Sequence, residues 1–167
     1  MEEYRTIPGF SNYEVSNLGN IWNTKTGYVL STRSKDKDGY VKISLYISGR
    51  AYFKRLHILV AISFLDNPEN RPCVDHINGD KADNRIVNLR FATIKENAQN
   101  SKISSRNTSG IKGVCFNKIN GTWKASIQVD GIRVHLGQFE TIEEAQQARV
   151  AKANEVFGIF THTCEKL

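Results

Sequence analysis

Acid, amide and imidazole side chains in the middle of this 167-residue chain have the types needed for hydrolysis at a phosphate. The carboxylate of Asp75 and the side-chain carbonyl of Asn97 are hard oxygen donors that suit Mg²⁺ or Mn²⁺, with substrate phosphate and waters completing the coordination shell. His76 has an ordinary pKa near neutrality and can take a proton from an attacking water. Together these residues predict a metal-dependent phosphodiester hydrolase.

The elements that position these side chains follow from local signals. Residues 74–77 and 89–92 read as two strands, separated by a polar loop that opens with an Asn-Gly turn. Thr93 and Glu96 have the spacing of a capping box, which predicts a helix beginning at Ile94 and places Asn97 on its first full turn. The expected order is therefore strand, loop, strand, helix.

Asp75 and His76 are adjacent in the sequence, and neighbouring strand residues point to opposite faces. The two side chains can serve one centre only if the strand bends or ends there. The alternative makes Asp75 a turn cap and His76 a core histidine, but it leaves Asn88 and Asn97 as coincidences.

Other polar residues nearby have simpler interpretations. His57 falls within the apolar run 56–64, where a histidine is usually structural, although contact with phosphate stays open. The loop between the two strands contributes three residues that we expect to be turn and solvent residues rather than ligands: Asp80, Asp83 and Asn84.

The motif formed by His57 and residues 74–80, 88–90 and 96–97 resembles the HNH homing endonucleases of phage and intron type, over about residues 53–100. The resemblance implies a ββα-metal core in which Asp75 and Asn97 bind a divalent metal, His76 is the general base, and Asn88 braces the loop that carries the histidine. The last motif position is Asn97 rather than histidine, a variant known in the family. The expected ion is Mg²⁺, with Mn²⁺ possible and zinc not expected.

Residues 1–52 are predicted to form a small antiparallel sheet of hairpins, because short alternating runs are separated by glycines. Residues 56–64 predict a short buried helix that stops before Asn67-Pro68 and forms the core under this sheet. Residues 7–10 and 13–19 resemble a nuclease-associated modular motif often found ahead of HNH cores.

Residues 101–109 are polar and predict a linker, and residues 110–162 predict a separate domain. Three runs alternate apolar and polar residues, with hairpin signals at Asn120-Gly121 and Asp130-Gly131. A helix capped by Thr141 and Glu144 should follow and end before Gly158, with Trp123 in the core. This region resembles the Apetala (ERF) DNA-binding domain, which lays a three-stranded sheet in the major groove. The whole chain is thus predicted to be α+β.

Residues 101–135 carry six positive charges against one negative, while acids cluster on the predicted helix. This segregation favours double-stranded DNA as the partner. Lys102 and Arg106 in the linker are expected to meet phosphates. The resemblance implies that seven residues face the groove: Lys112, Cys115, Asn117, Ser126, Gln128, Arg133 and His135. The residues expected to bind DNA are the same set without Cys115 and with Lys124 added.

Composition bounds the rest of the prediction. The net charge is +6, with basic flanks around a slightly acidic middle that suits a cation site. Three scattered cysteines predict free thiols rather than a zinc site or disulfides. No long apolar segment and no basic signal sequence occur, so we expect a soluble intracellular protein without membrane association. The resemblance to phage-type HNH nucleases implies the cytoplasm of a phage-infected or bacterial host cell.

Two rival functions are also compatible with the sequence. One is a DNA-binding regulator whose nuclease core is only a scaffold, although a scaffold needs none of the chemistry of Asp75, His76 and Asn97. The other is an RNA-binding or RNA-cutting protein, which the absence of an aromatic-rich single-strand platform disfavours. The sequence leaves the oligomeric state and the recognition site open.

Overall fold

The computed structural model describes residues 1–100, 103–104 and 107–161. The chain forms two compact units, Met1–Asn97 and Ala98–Leu167. Within the described ranges, no helix is long and apolar enough to cross a membrane. The predicted mixture of helices and antiparallel strands is confirmed.

The first unit contains eight strands, one complete α-helix and the start of a second, which runs two residues past the end of the unit. In chain order they are β1 (Tyr4–Ile7), β2 (Phe10–Ser16), β3 (Ile21–Asn23), β4 (Tyr28–Leu30), β5 (Lys42–Ile47), β6 (Arg50–Arg55), α1 (Leu56–Phe64), β7 (Cys73–His76), β8 (Leu89–Ala92) and α2 (Ile94–Gln99). Strands β1 to β4 pair in sequence order, whereas β5 with β6 and β7 with β8 form separate two-stranded sheets. The N-terminal hairpins therefore make two sheets rather than one.

A single core holds this unit together. On β5, Ile43 and Leu45 are buried, Ser44 between them is half-buried, and the flanking Lys42 and Tyr46 are exposed, which is the alternation of a half-buried strand. The buried residues of α1, Leu56, Leu59 and Val60, pack into the same cluster as the apolar residues of β2, β3 and β5. The predicted short core helix is confirmed, and it ends before Asn67-Pro68.

The second unit is a three-stranded antiparallel sheet with a helix packed on it. Its elements are β9 (Val114–Asn117), β10 (Thr122–Val129), β11 (Ile132–Phe139) and α3 (Ile142–Phe157), with strand order β11-β10-β9. Helix α3 contacts all three strands and covers their apolar side. In one cluster Ala125 and Trp123 pack with Ala145 of the helix. In the other, Ile127 packs with Ala153 and Phe157. Trp123 is a core residue, as predicted.

The predicted helix caps and turns of this unit are present, with one exception. Thr141 and Glu144 make both hydrogen bonds of the capping box, and Gly158 follows α3. Asp130 and Gly131 both have positive φ and join β10 to β11. Asn120-Gly121 is not a two-residue turn, because β9 ends at Asn117 and β10 begins at Thr122.

Candidate active site

Asp75 and His76 are the last two residues of β7, the strand that pairs antiparallel with β8. After β8, the capping box holds the start of α2: Glu96 accepts a hydrogen bond from the Thr93 backbone at 2.7 Å, and the Thr93 hydroxyl accepts from the Glu96 backbone at 3.2 Å. Arg71 adds an ion pair to Glu96 at 3.0 Å. The predicted order of strand, loop, strand and helix is therefore present.

Asp75 is buried, with 5% of its surface exposed, and lies opposite Arg90 in the β7–β8 pairing. Its Oδ2 atom accepts hydrogen bonds from Nε of Arg90 at 2.9 Å and from Nη2 at 2.7 Å. A buried carboxylate needs such a partner, since an uncompensated charge away from water is costly. Arg90 therefore fixes the orientation of this carboxylate.

His76 is also buried, with 4% of its surface exposed, and it turns to different neighbours from Asp75. Its Nε2 atom lies 3.1 Å from Oδ1 of Asn84. Burial lowers the pKa of His76 from its ordinary value, and the hydrogen bond to Asn84 opposes this only in part. The imidazole is therefore neutral at pH 7, which is the form able to accept a proton.

The side chain of His76 belongs to an aromatic cluster formed by Tyr40, His57 and His76. The ring centroid of His57 lies 4.8 Å from those of both Tyr40 and His76, and the centroids of Tyr40 and His76 are 5.9 Å apart. The guanidinium of Arg55 and the ammonium of Lys81 both lie over the Tyr40 ring, at 4.2 and 4.4 Å from its centroid. The cluster holds the imidazole of His76 from the side of α1.

Asn88 ties together the two ends of the loop between β7 and β8. Its Oδ1 accepts from the backbone N–H of Asn78 at 3.0 Å, and its Nδ2 donates to the backbone carbonyl of Asp83 at 2.8 Å. The backbone carbonyl of Asn88 also accepts from Ile77 at 2.8 Å. These bonds fix the backbone immediately after His76.

Asn97 is half-buried on the first turn of α2, where its backbone N–H donates to the Thr93 carbonyl at 3.0 Å. Among the described residues, no group of three or more histidine, cysteine, aspartate or glutamate side chains is arranged to hold a metal ion. A site made of one carboxylate and one amide still suits Mg²⁺, which commonly takes one or two carboxylates and fills its octahedron with water and substrate phosphate. The donor chemistry of Asp75 and Asn97 thus fits such an ion.

The expectation that Asn84 faces solvent is wrong, because only 5% of its surface is exposed and its amide meets His76. Asp80 and Asp83 do act as turn residues: Asp80 accepts from the backbone of Ala82, and Asp83 pairs with Arg85. Sequence reasoning also gave no role to Tyr40 or Arg90. Only the position of Arg90 opposite Asp75 in paired strands could have indicated its contact.

The second unit carries the remaining predicted residues. Strand register shows which residues point away from α3, and we call this side of the sheet the open face. It contains Cys115, Asn117, Lys124, Ser126, Gln128, Arg133 and His135. Lys112 lies in the loop before β9, where its ammonium donates to the Gln99 carbonyl at 2.8 Å. Lys102 and Arg106 lie outside the described residues.

Comparison with known proteins supplies the family. The sequence family described as HNH endonuclease matches residues 54–99, and the family described as NUMOD4 motif matches residues 2–46. The chain is 43% identical over 107 residues to an uncharacterized HNH endonuclease, L247, of Acanthamoeba polyphaga mimivirus, covering 60% of this chain and 26% of that protein. It is 38% identical over 99 residues to the DNA endonuclease I-HmuI of Bacillus phage SP01, covering 59% and 56%.

A solved structure describing DNA binding and cleavage by the HNH homing endonuclease I-HmuI superposes with a TM-score of 0.55 at 30% identity. That match covers 87% of this chain and 82% of the other. The chain thus spans between about a quarter and just over half of the curated relatives given above, and most of the solved one. The resemblances found in residues 53–100 and in the N-terminal module are confirmed, and the chain belongs to the HNH endonuclease family, with a NUMOD4 motif ahead of its HNH core.

Proposed function

We propose that this protein is a metal-dependent DNA endonuclease of the homing type, whose second unit binds the target DNA. The observation that carries the proposal is the pair Asp75 and His76 at the end of β7, both buried, with the loop behind them braced by Asn88. A scaffold needs neither a buried acid nor a neutral imidazole at adjacent positions of one strand. The reaction is hydrolysis of a phosphodiester bond.

His76 acts as the general base in this proposal. A water molecule attacks the phosphorus atom and gives its proton to the imidazole, and the bond to the 3′ oxygen breaks. The products are a 5′-phosphate and a 3′-hydroxyl, the leaving oxygen taking its proton from solvent. Burial, which keeps His76 neutral at pH 7, supports this role.

Asp75 and Asn97 would hold the divalent ion, Mg²⁺ or Mn²⁺. When bound, the ion supplies positive charge that stabilises the phosphate and the leaving oxygen. Arg90 keeps the carboxylate of Asp75 oriented through its two hydrogen bonds. Asn88 acts on the backbone after His76, so its role is to position the loop.

The second unit provides DNA affinity. Its open face carries Lys124 and Arg133, while the acids Glu143, Glu144 and Glu155 lie on α3, which packs on the other side of the sheet. The arrangement of three strands and one helix suits the Apetala-type interpretation, in which the sheet enters the major groove. Lys102 and Arg106 would add phosphate contacts without sequence information.

The biological role that follows is homing or mobile-element activity in a phage or its host cell. I-HmuI is named as a homing endonuclease, and other relatives come from viruses. Double-stranded DNA is the partner in this proposal, and the cytoplasm of the infected cell is the place of action.

The test is cleavage of supercoiled plasmid and of phage and bacterial genomic DNA in Mg²⁺, in Mn²⁺ and in EDTA. We expect nicked or linear products with either metal, none with EDTA, and 5′-phosphate ends. Asp75→Asn should raise the metal concentration needed for half-maximal cleavage, because a neutral amide binds the ion more weakly.

Asn12→Ala is the matched control, since Asn12 is exposed on β2 and has no part in the proposed site. Tight DNA binding without cleavage under any metal condition would favour a DNA-binding regulator whose nuclease core is only a scaffold. Cleavage of a single-stranded RNA included in the same assay, with no DNA substrate cut, would favour an RNA-cutting protein.

A further inference from the structure

Asn84 is a buried amide in the loop between β7 and β8, and both ends of its side chain are engaged. Its Nδ2 donates to the backbone carbonyl of Ala82 at 2.9 Å, and its Oδ1 lies 3.1 Å from Nε2 of His76. The reverse orientation of the amide would bring two acceptors, Oδ1 and the Ala82 carbonyl, to hydrogen-bond distance. The oxygen of Asn84 therefore faces the imidazole.

An amide oxygen can only accept a hydrogen bond, so Nε2 of His76 must be the donor. A neutral imidazole has one N–H group, and placing it at Nε2 leaves the lone pair on Nδ1. The hydrogen bond thus decides which nitrogen of His76 can accept a proton.

The N-terminal motif holds Asn84 in place. A Cβ atom built on Gly19 would lie 3.3 Å from Cβ of Asn84, so the β2–β3 turn packs directly on this residue. The backbone N–H of Ile86 donates to the Asn17 carbonyl at 2.8 Å, which ties the same turn to the loop. On the other side, the Tyr40 and His57 rings of the aromatic cluster limit rotation of the imidazole.

We propose that Asn84 is a positioning residue that keeps neutral His76 as the Nε2–H tautomer, so that Nδ1 is the atom that takes the proton from the attacking water. The role in catalysis rests on the nuclease function proposed above. The tautomer itself does not, and it is measurable without any substrate.

The first measurement is the tautomer of His76 in the full chain labelled with ¹⁵N-histidine, read from long-range ¹H–¹⁵N correlations at pH 7.5. The signals of His76 are assigned as those missing in His76→Gln. We expect the Nε2–H pattern in the wild type and in the control Asn12→Leu. Asn84→Leu removes the acceptor and should shift the signals to the Nδ1–H form or to a mixture.

The second measurement is single-turnover cleavage by the same variants with saturating DNA. We expect Asn84→Leu to lose about 10²-fold or more in rate with DNA affinity unchanged, because general base catalysis contributes about 10²–10⁴-fold. Asn12→Leu should cleave at the wild-type rate.

An Nδ1–H or mixed pattern in the wild-type protein overturns the proposal, and this result requires a folded His76→Gln protein for the assignment but no variant of Asn84. Full cleavage by a folded Asn84→Leu protein overturns its catalytic half. If the wild type shows the Nε2–H tautomer but cuts no DNA, the nuclease function fails while the structural assignment of Asn84 stands.

Discussion

Burial at single residues sets the acid–base behaviour of this site, and His57 shows it most strongly. Burial lowers the pKa of His57 to about 3, with the nearby His76 and Arg55 acting in the same direction. Its Nδ1 atom is buried without a hydrogen-bond partner among the described residues. His57 is therefore neutral in the folded protein at every pH where the protein is expected to work.

A histidine that is neutral when folded makes stability depend on pH. In the unfolded chain His57 titrates near 6.5, so below that pH the unfolded state gains a proton that the folded state refuses until about pH 3. The contribution of His57 to the free energy of unfolding is therefore fully present above about pH 6.5 and is lost as the pH falls below it. Between pH 6.5 and 5 the loss from His57 should be about 1.5 kcal/mol, and His76 adds to it because burial lowers its pKa too.

Urea unfolding at several pH values between 5 and 7.5 checks this, in a window above the ordinary range of carboxylates. His57→Phe should remove about 1.5 kcal/mol of the loss between pH 6.5 and 5, whereas Asn12→Ala, an exposed and non-titrating position on β2, should leave the pH dependence unchanged. A His57→Phe protein with the wild-type slope would show that His57 is not buried as described.

At the level of elements, the loop between β7 and β8 depends on the β2–β3 turn. Gly19 has φ +87° and packs on Asn84, which in turn contacts His76. Gly27, in the β3–β4 turn, has a similar φ of +76° but nothing within 4 Å of an added Cβ. A side chain at either glycine would strain the backbone, but only a side chain at Gly19 would also contact another residue.

Gly19→Ala is expected to slow cleavage about tenfold, because the added methyl displaces Asn84 and with it the imidazole. Gly27→Ala should cut at the wild-type rate. Both should lose about 1–2 kcal/mol from the positive φ. Single-turnover rates and thermal unfolding of the two proteins, measured side by side, separate the effects. Equal cleavage rates would mean that the turn does not act on the site.

Much of this architecture could be predicted because its signals are local. The two capping boxes lie within four residues of sequence and begin α2 and α3 where expected. The burial of Asn84 could not be predicted, since it depends on packing by Gly19, far away in sequence. The contact of Tyr40 with His57 is likewise set by tertiary packing. The division of the N-terminal hairpins into two sheets depends on strand pairing that composition does not encode.

For the whole molecule, the distribution of charge supports the proposed separation of DNA binding from cleavage. The described part of the second unit presents Lys124 and Arg133 on the open face of its sheet, away from the acidic helix. The first unit contains the buried acid and the imidazole. We therefore expect changes to the open face to alter DNA affinity and leave the cleavage rate of bound DNA unchanged.

Replacing Lys124 or Arg133 by Gln should weaken DNA binding and reduce the slope of log K against log salt by about 0.9 for each phosphate that the variant no longer neutralises. Lys152→Gln is the control, since Lys152 lies on α3 and pairs with Glu155 at 2.6 Å. Fluorescence anisotropy between 50 and 200 mM salt, on the order of physiological ionic strength, measures the slope. An unchanged slope in both open-face variants would argue that this face does not meet DNA.

His76 is proposed to be the base of a metal-dependent DNA nuclease. The most direct test of this claim compares cleavage and binding of the same DNA by the wild type and His76→Ala in Mg²⁺. We predict cleavage by the wild type and a loss of about 10²-fold or more in His76→Ala, with DNA affinity within a few-fold. Cleavage by His76→Ala at the wild-type rate would contradict the claim.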